Sequence, residues 1–198
     1  MKKSFLAITM MGLLVMSCGQ KKEENKDVVT ETTEQVETAK TELTHSIEWT
    51  AFKTPEKVGV KGTFSDVKLL DVKEATTLEE SLKGAAFIVT TSTVSTNDAG
   101  RDEKLKVEFF AKMVGNINGF FGEFKDGKVV VNLTMNGVTK EKEFTYVVEG
   151  NTMKINGSID ILGDFVAQTA FDSLHEACKD LHAGKTWSDV EIAVEIKK

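Results

Sequence analysis

Apolar and polar residues alternate with a period of two across residues 128–148. Val129, Val131, Leu133 and Met135 interleave with Val130, Asn132 and Thr134, which predicts a strand with one apolar face. After Asn136-Gly137 the alternation resumes at Val138 and runs through Phe144, Tyr146 and Val148 against Glu143 and Thr145. Asn-Gly between two such runs favours a tight hairpin, because both residues tolerate positive φ at small steric cost. A reversal at Glu149-Gly150-Asn151-Thr152 leads to a third strand over 153–161, with Met153, Ile155, Ile159 and Ile161 on one face. The three strands make a meander whose apolar face the rest of the chain must cover.

The remaining segments supply that cover. Strands are predicted over 46–53 around Ile47, Trp49 and Ala51, over 58–64 through Val58, Val60, Gly62 and Phe64, and at Val67, Leu69 and Val72. Residues 85–95, AAFIVTTSTVS, form a strand rich in β-branched side chains. Residues 116–124, NINGFFGEF, carry three phenylalanines among glycines and predict a strand with a bulge or sharp bend. The closing strand, 187–196, sets Val190, Ile192, Val194 and Ile196 against Glu191 and Glu195. Helical spacing appears in three places. Residues 76–83 start at a Thr76 or Thr77 cap and stop at Gly84. Residues 101–113 place Leu105, Phe109 and Met113 on one face beside Phe110. Residues 164–183 predict about five turns, with Ala167, Phe171, Leu174, Cys178 and Leu181 as the apolar stripe and Gly184 as the stop. The fold class is therefore mainly β: an eight-stranded antiparallel barrel with two or three helices, one inserted before the last strand.

Two motifs add a family. Residues 133–140, LTMNGVTK, resemble the LT-x-x-GVTK hairpin of the YceI-like family. Ser95-Thr96-Asn97, Arg101-Asp102-Glu103-Lys104-Leu105 and Phe109-Phe110 resemble its T-x-N…RD-x-x-L…FF segment, and 58–64, VGVKGTF, resembles its second strand. The resemblance covers roughly residues 46–198. It implies a lipocalin-like barrel whose apolar interior holds a polyisoprenoid or similar long lipid. The chain departs from the commoner pattern after Phe110, where a longer proline-bearing connection is usual. It departs again at 164–183, which resembles a lipoprotein sub-branch carrying an AQ…LH…C…LH helix followed by KTW.

The first residues change the picture of where the barrel works. Lys2 and Lys3 precede an apolar run from Phe5 to Met16 that is too short for an ordinary membrane span. Leu14-Val15-Met16-Ser17-Cys18 resembles a bacterial lipobox. Residues 1–17 are thus expected to be a lipoprotein signal peptide and Cys18 the acylated, palmitate-bearing residue, anchored in the membrane by its acyl chains. Residues 18–44, rich in Lys, Glu, Thr and Gln without an aromatic residue, read as a flexible tether to a domain spanning 45–198. The expected location is the cell envelope, as an outer-membrane lipoprotein facing the periplasm or the cell surface. Without Lys2 and Lys3, 23 basic residues face 31 acidic ones, a net charge of −8. That balance argues against nucleic acid and against adsorption on anionic headgroups.

Candidate chemistry is sparse. There is no G-x-S-x-G elbow, phosphate-binding glycine loop or CxxC, so an enzyme is not expected. His175, Cys178 and His182 fall within one arc of a continuous helix, where two imidazoles and a thiol could hold zinc or copper. The competing reading places Cys178 in the apolar stripe with the histidines flanking it. With Cys18 acylated, Cys178 has no intrachain disulfide partner. No cofactor is certain beyond a suspected lipid ligand. The cavity candidates are Trp49, Phe64, Phe87, Phe109, Phe110, Phe120 and Tyr146, each of which also suits plain core. Arg101, the single arginine, is the candidate headgroup partner through its planar fork, or else a local clamp to Asp102. The sequence thus predicts a lipid-anchored binder of an apolar chain-like molecule for transport, storage or stress protection, with room for a homodimer. The alternatives are a redox or metal module on the His/Cys helix face and a ligand-free interaction protein.

Overall fold

Strand β7 (Lys128–Met135) shows the period-2 pattern most plainly: Val129, Val131, Leu133 and Met135 are buried and the residues between them are not. It enters β8 (Val138–Glu149) through Asn136 and Gly137, both at positive φ (51° and 72°), the hairpin the sequence predicts. β8 pairs with β9 (Thr152–Asp160), whose Met153, Ile155 and Ile159 are buried, and β9 with the closing strand β10 (Thr186–Lys197). β10 pairs with β1 (Thr44–Lys53), and β1 with β2 (Val58–Phe64). On the other side of the meander, β7 pairs with β6 (Ile117–Lys125), whose register slips between Phe121 and Phe124 as the glycine-rich sequence suggests. The computed structural model describes residues 43–198; the expected signal peptide, Cys18 and nearly all of the tether lie outside the described residues.

Ten strands form, where eight were expected. The strand expected over 85–95 is broken in two, and the break has a chemical cause. β2 and β3 (Val67–Leu70) are separated only by Ser65 and Asp66, while β4 (Ala86–Val89) and β5 (Val94–Ser95) are separated by a 3-10 turn, Thr91–Thr93. Here hydroxyls compete with the ladder. Thr93 Oγ1 donates to Thr90 O (2.7 Å) and accepts from Asp66 N (3.1 Å), and Thr90 Oγ1 donates to Asp66 Oδ2 (2.6 Å). The run of β-branched residues that predicts one strand over 85–95 is folded into a turn by its own threonines. Because β2 pairs with β5 and β3 with β4, the two breaks meet each other and the antiparallel sheet curls round upon itself.

The helices sit at the two ends. α1 (Leu78–Leu82) is capped by Thr77, whose hydroxyl accepts from Glu80 N, and it buries Leu78 and Leu82. It lies at the end where β1 begins, since Lys198, next to the last residue of β10, donates to Ala75 O at 2.6 Å. α2 (Ala99–Lys104) starts two residues before the expected helix because the Asp98 carboxylate accepts from Arg101 N (3.0 Å). After Lys104 the regular helix gives way to a wider π turn, Leu105–Phe109, and a 3-10 turn, Phe110–Lys112. α3 (Gln168–Cys178) has 11 residues, about three turns rather than the expected five. At its start Asp164 is held by Asp160 N (2.8 Å) and Lys142 Nζ (2.6 Å), and Val166 adopts φ 51°. At its end Ala183 and Gly184 both take positive φ, and Gly184 N donates to Lys179 O.

Candidate functional site

The curled sheet does not fill its own interior. A cavity of about 600 Å³ runs along the inner face of β1 and β10, within the range of small-molecule sites. Ile192, Val194 and Ile196 of β10 line it, together with Val131 and Leu133 of β7 and Leu174 of α3. Six of the eight candidate residues line it as well: Trp49, Phe64, Phe87, Arg101, Phe109 and Phe110. The change from π to 3-10 winding at Phe109 is what brings both adjacent rings, 5.1 Å apart, to one interior. Phe110 in turn meets Phe64 edge-on at 5.7 Å.

Phe120 and Tyr146 are elsewhere. Phe120 is 46% exposed on the outer face of β6, and its neighbour Phe121 is the one that lines the cavity. Two adjacent phenylalanines on a strand must face opposite ways, and only the pairing to β7 fixes which goes in. Tyr146 shares the inward face of β8 with Phe144 but does not line the cavity; it packs edge-on to Phe124 at 5.3 Å.

Two of the lining rings depend on glycines in the neighbouring strand. Trp49 is paired with Gly62 and Phe87 with Gly119. A Cβ at Gly62 would stand 2.1 Å from Trp49 Cζ2, and one at Gly119 would stand 2.6 Å from Phe87 Cζ. The rings therefore lie flat against bare backbone, which widens the bore at those positions.

Polar atoms inside the cavity are few and partly unsatisfied. His45 Nε2 lies 2.9 Å from Val67 O, so it carries the proton and donates; Nδ1 is left as a buried acceptor without a partner. Trp49 Nε1 is a buried donor without a partner. Each such orphan costs about 1–3 kcal/mol, and a polar atom of a bound molecule would relieve it.

At the far end of β1, Lys53 pairs with Thr186, the first residue of β10. The Thr186 hydroxyl lies 3.0 Å from His175 Nδ1 and 3.2 Å from His182 Nδ1. A single hydroxyl proton can serve only one of them, so at least one imidazole donates to Thr186. Burial, then the positive charges of Lys53, His175, Lys104 and Arg101, hold the His182 imidazole below its ordinary value of 6.5. Arg101 pairs with Asp98 (3.5 Å) and not with Asp102; Asp102 instead accepts from Thr96 N and Oγ1 at 2.7 and 2.6 Å.

The expected metal triad is not assembled. Among the described residues no group of three or more His, Cys, Asp or Glu side chains is placed to hold a metal ion. The reason is the short helix. α3 ends at Cys178, so His182 belongs to the following turn and the helical spacing that aligned the three no longer applies. Cys178 is a buried free thiol in the apolar stripe, and the two histidines converge on Thr186.

The model of the YceI-like domain matches residues 35–197. The chain belongs to this family. The YceI-like fold is shared with a polyisoprenoid-binding domain from Saccharophagus degradans (TM-score 0.53, 11% identity, 77% of this chain and 93% of that one). It is shared with BcnA of Burkholderia cenocepacia (TM-score 0.51, 14% identity, 77% and 94%) and with the YCEI protein of Campylobacter jejuni (TM-score 0.54, 20% identity, 71% and 85%). No curated protein matches the chain.

Proposed function

We propose that this YceI-like chain is a binding protein, not an enzyme, and that it holds one long apolar molecule, isoprenoid or fatty-acyl in kind, inside its barrel. The observation that carries this reading is the cavity itself: about 600 Å³ of space walled by inward aliphatic and aromatic side chains. Burying hydrocarbon there is favourable by roughly 25 cal/mol per Å² of apolar surface. The Saccharophagus relative, a polyisoprenoid-binding domain by name, supports the same class of ligand. Acyl chains on Cys18 would tether the barrel in the cell envelope, where it would carry, store or shield such a molecule.

Native mass spectrometry of the purified chain tests the binding. The expected result is an added mass that solvent extraction releases as an apolar chain compound. Phe87→Asp sets a carboxylate into the cavity wall and is expected to abolish that mass while circular dichroism still reports a folded barrel. An unfolded Phe87→Asp chain would make Phe87 structural, and a folded one that keeps its ligand would place binding elsewhere. The anchor is tested separately. Radiolabelled palmitate is expected to enter the wild-type chain in cells and not Cys18→Ala; equal labelling of both would refute lipidation at Cys18.

A further inference from the structure

Charge is distributed against the chain's own average at one place. The whole sequence carries 31 acidic and 25 basic residues, yet the cavity is lined by three cations, Lys53, Arg101 and Lys104, and by one carboxylate, Asp98. The three cations come together at one end. Lys53 closes β1 opposite Thr186, and Arg101 and Lys104 stand three residues apart on α2, so they share a helix face. His182 and Thr186 complete the ring. This end is also where the cavity meets solvent: the Arg101 side chain is 40% exposed and Leu181, another lining residue, 68%.

Two of the three cations answer no acidic side chain. Among the described residues eight cation–carboxylate pairs form, one of them Arg101 with Asp98, but Lys53 and Lys104 have no carboxylate within 4.0 Å. Two ammonium groups and a half-neutralised guanidinium thus repel one another across a mouth whose next layer, Leu105 and Phe109, is hydrocarbon. A neutral ligand would leave that repulsion in place. An anion seated there removes it and keeps part of its hydration because the groups are half-exposed, so the desolvation cost that weakens buried ion pairs is small.

We infer that the cavity takes a single-chain amphiphile with an anionic head, whose carboxylate or phosphate is held at the mouth by Lys53, Arg101 and Lys104 while its chain lies along β1 and β10. The inference rests on the apolar-cavity reading above and adds the head. Arg101 offers a planar fork to two oxygens, and the lysines supply point charges from either side.

The test uses the full chain, freed of lipid, titrated calorimetrically with oleate, oleyl phosphate and oleyl alcohol, which share one hydrocarbon chain. Both acids are expected to bind at least tenfold more tightly than the alcohol, and their order identifies the preferred head. In the double variant Lys53→Gln/Lys104→Gln the ratio of acid to alcohol affinity is expected to fall towards one. Molar salt is expected to narrow the same ratio in the wild-type chain, a reading that stands even where the variant does not fold. Equal affinities for the three, or tighter binding of the alcohol, would overturn the anionic head while leaving the cavity reading intact. A preference that survives both the double variant and molar salt would overturn the assignment to these residues. Binding of none of the three would remove the cavity reading and this inference together.

Discussion

Gly62→Val is expected to destabilise the barrel by about 3 kcal/mol, at the upper end of what overpacking usually costs. The first carbon added at Gly62 already falls 2.1 Å from Trp49 Cζ2 and 2.5 Å from Cε2, and both atoms belong to a rigid ring that cannot flex away. Trp49 is 7% exposed and walled in by its neighbours, so the ring has one way to go: into the cavity. Urea denaturation followed by circular dichroism reads the loss of stability. The surviving folded fraction is expected to bind less ligand, because the displaced indole occupies the bore. Gly100→Ala is the control, since an added Cβ there meets nothing nearer than 3.5 Å and alanine favours the helix. A Gly62→Val chain as stable as Gly100→Ala would show that Trp49 does not lie against β2 in solution.

Phe165→Ala is expected to cost about 3–5 kcal/mol, the usual range for deleting a fully buried phenyl ring. Phe165 is 0% exposed and belongs to the core at the joint between β9 and α3, where Asn136 Nδ2 donates to its carbonyl at 3.2 Å. It does not line the cavity. Its loss should therefore lower the denaturation midpoint steeply and leave ligand affinity of the folded protein within a factor of two or so, the backbone bond from Asn136 being kept. Phe110→Ala should do the reverse: its ring is half-buried and faces the bore, so stability falls less and the binding surface changes more. If Phe165→Ala weakened binding as much as Phe110→Ala, the core and the cavity would be one mechanical unit and not two.

These two variants also mark how far the sequence could be read. The inner faces of β7, β9 and β10 followed from alternation alone, because a pleated strand sends successive side chains to opposite sides whatever surrounds it. The Asn136-Gly137 hairpin followed from what those two residues permit, and the bend in β6 from its glycines. Six of the eight cavity candidates were found as inward aromatics or as the single arginine. Phe165 was not singled out, since a phenylalanine at the foot of an expected helix carries no sign of the pocket it fills.

The misreadings share one physical origin, contact between residues far apart in sequence. Phe120 and Phe121 have the same chemistry, and the pairing of β6 with β7 decides which is inside. Thr90 and Thr93 are good strand residues until Asp66, from the distant β2–β3 connection, offers them better hydrogen bonds; one expected strand becomes two as a result. The helix over 164–183 loses its first turn to Asp164, which is engaged by Lys142, and its last to the left-handed pair Ala183 and Gly184. With the helix ended at Cys178, His175 and His182 meet over Thr186 and leave the thiol behind. What the sequence determined was every property set by the local period and by single-residue backbone preference: the strands' faces, the tight turns, and membership of an antiparallel β fold. What only the tertiary structure decided was which of two adjacent rings lines the bore, where the helices stop, and that Lys53, Arg101 and Lys104 gather at one mouth. Those are sums over distant neighbours, which no window along the chain contains.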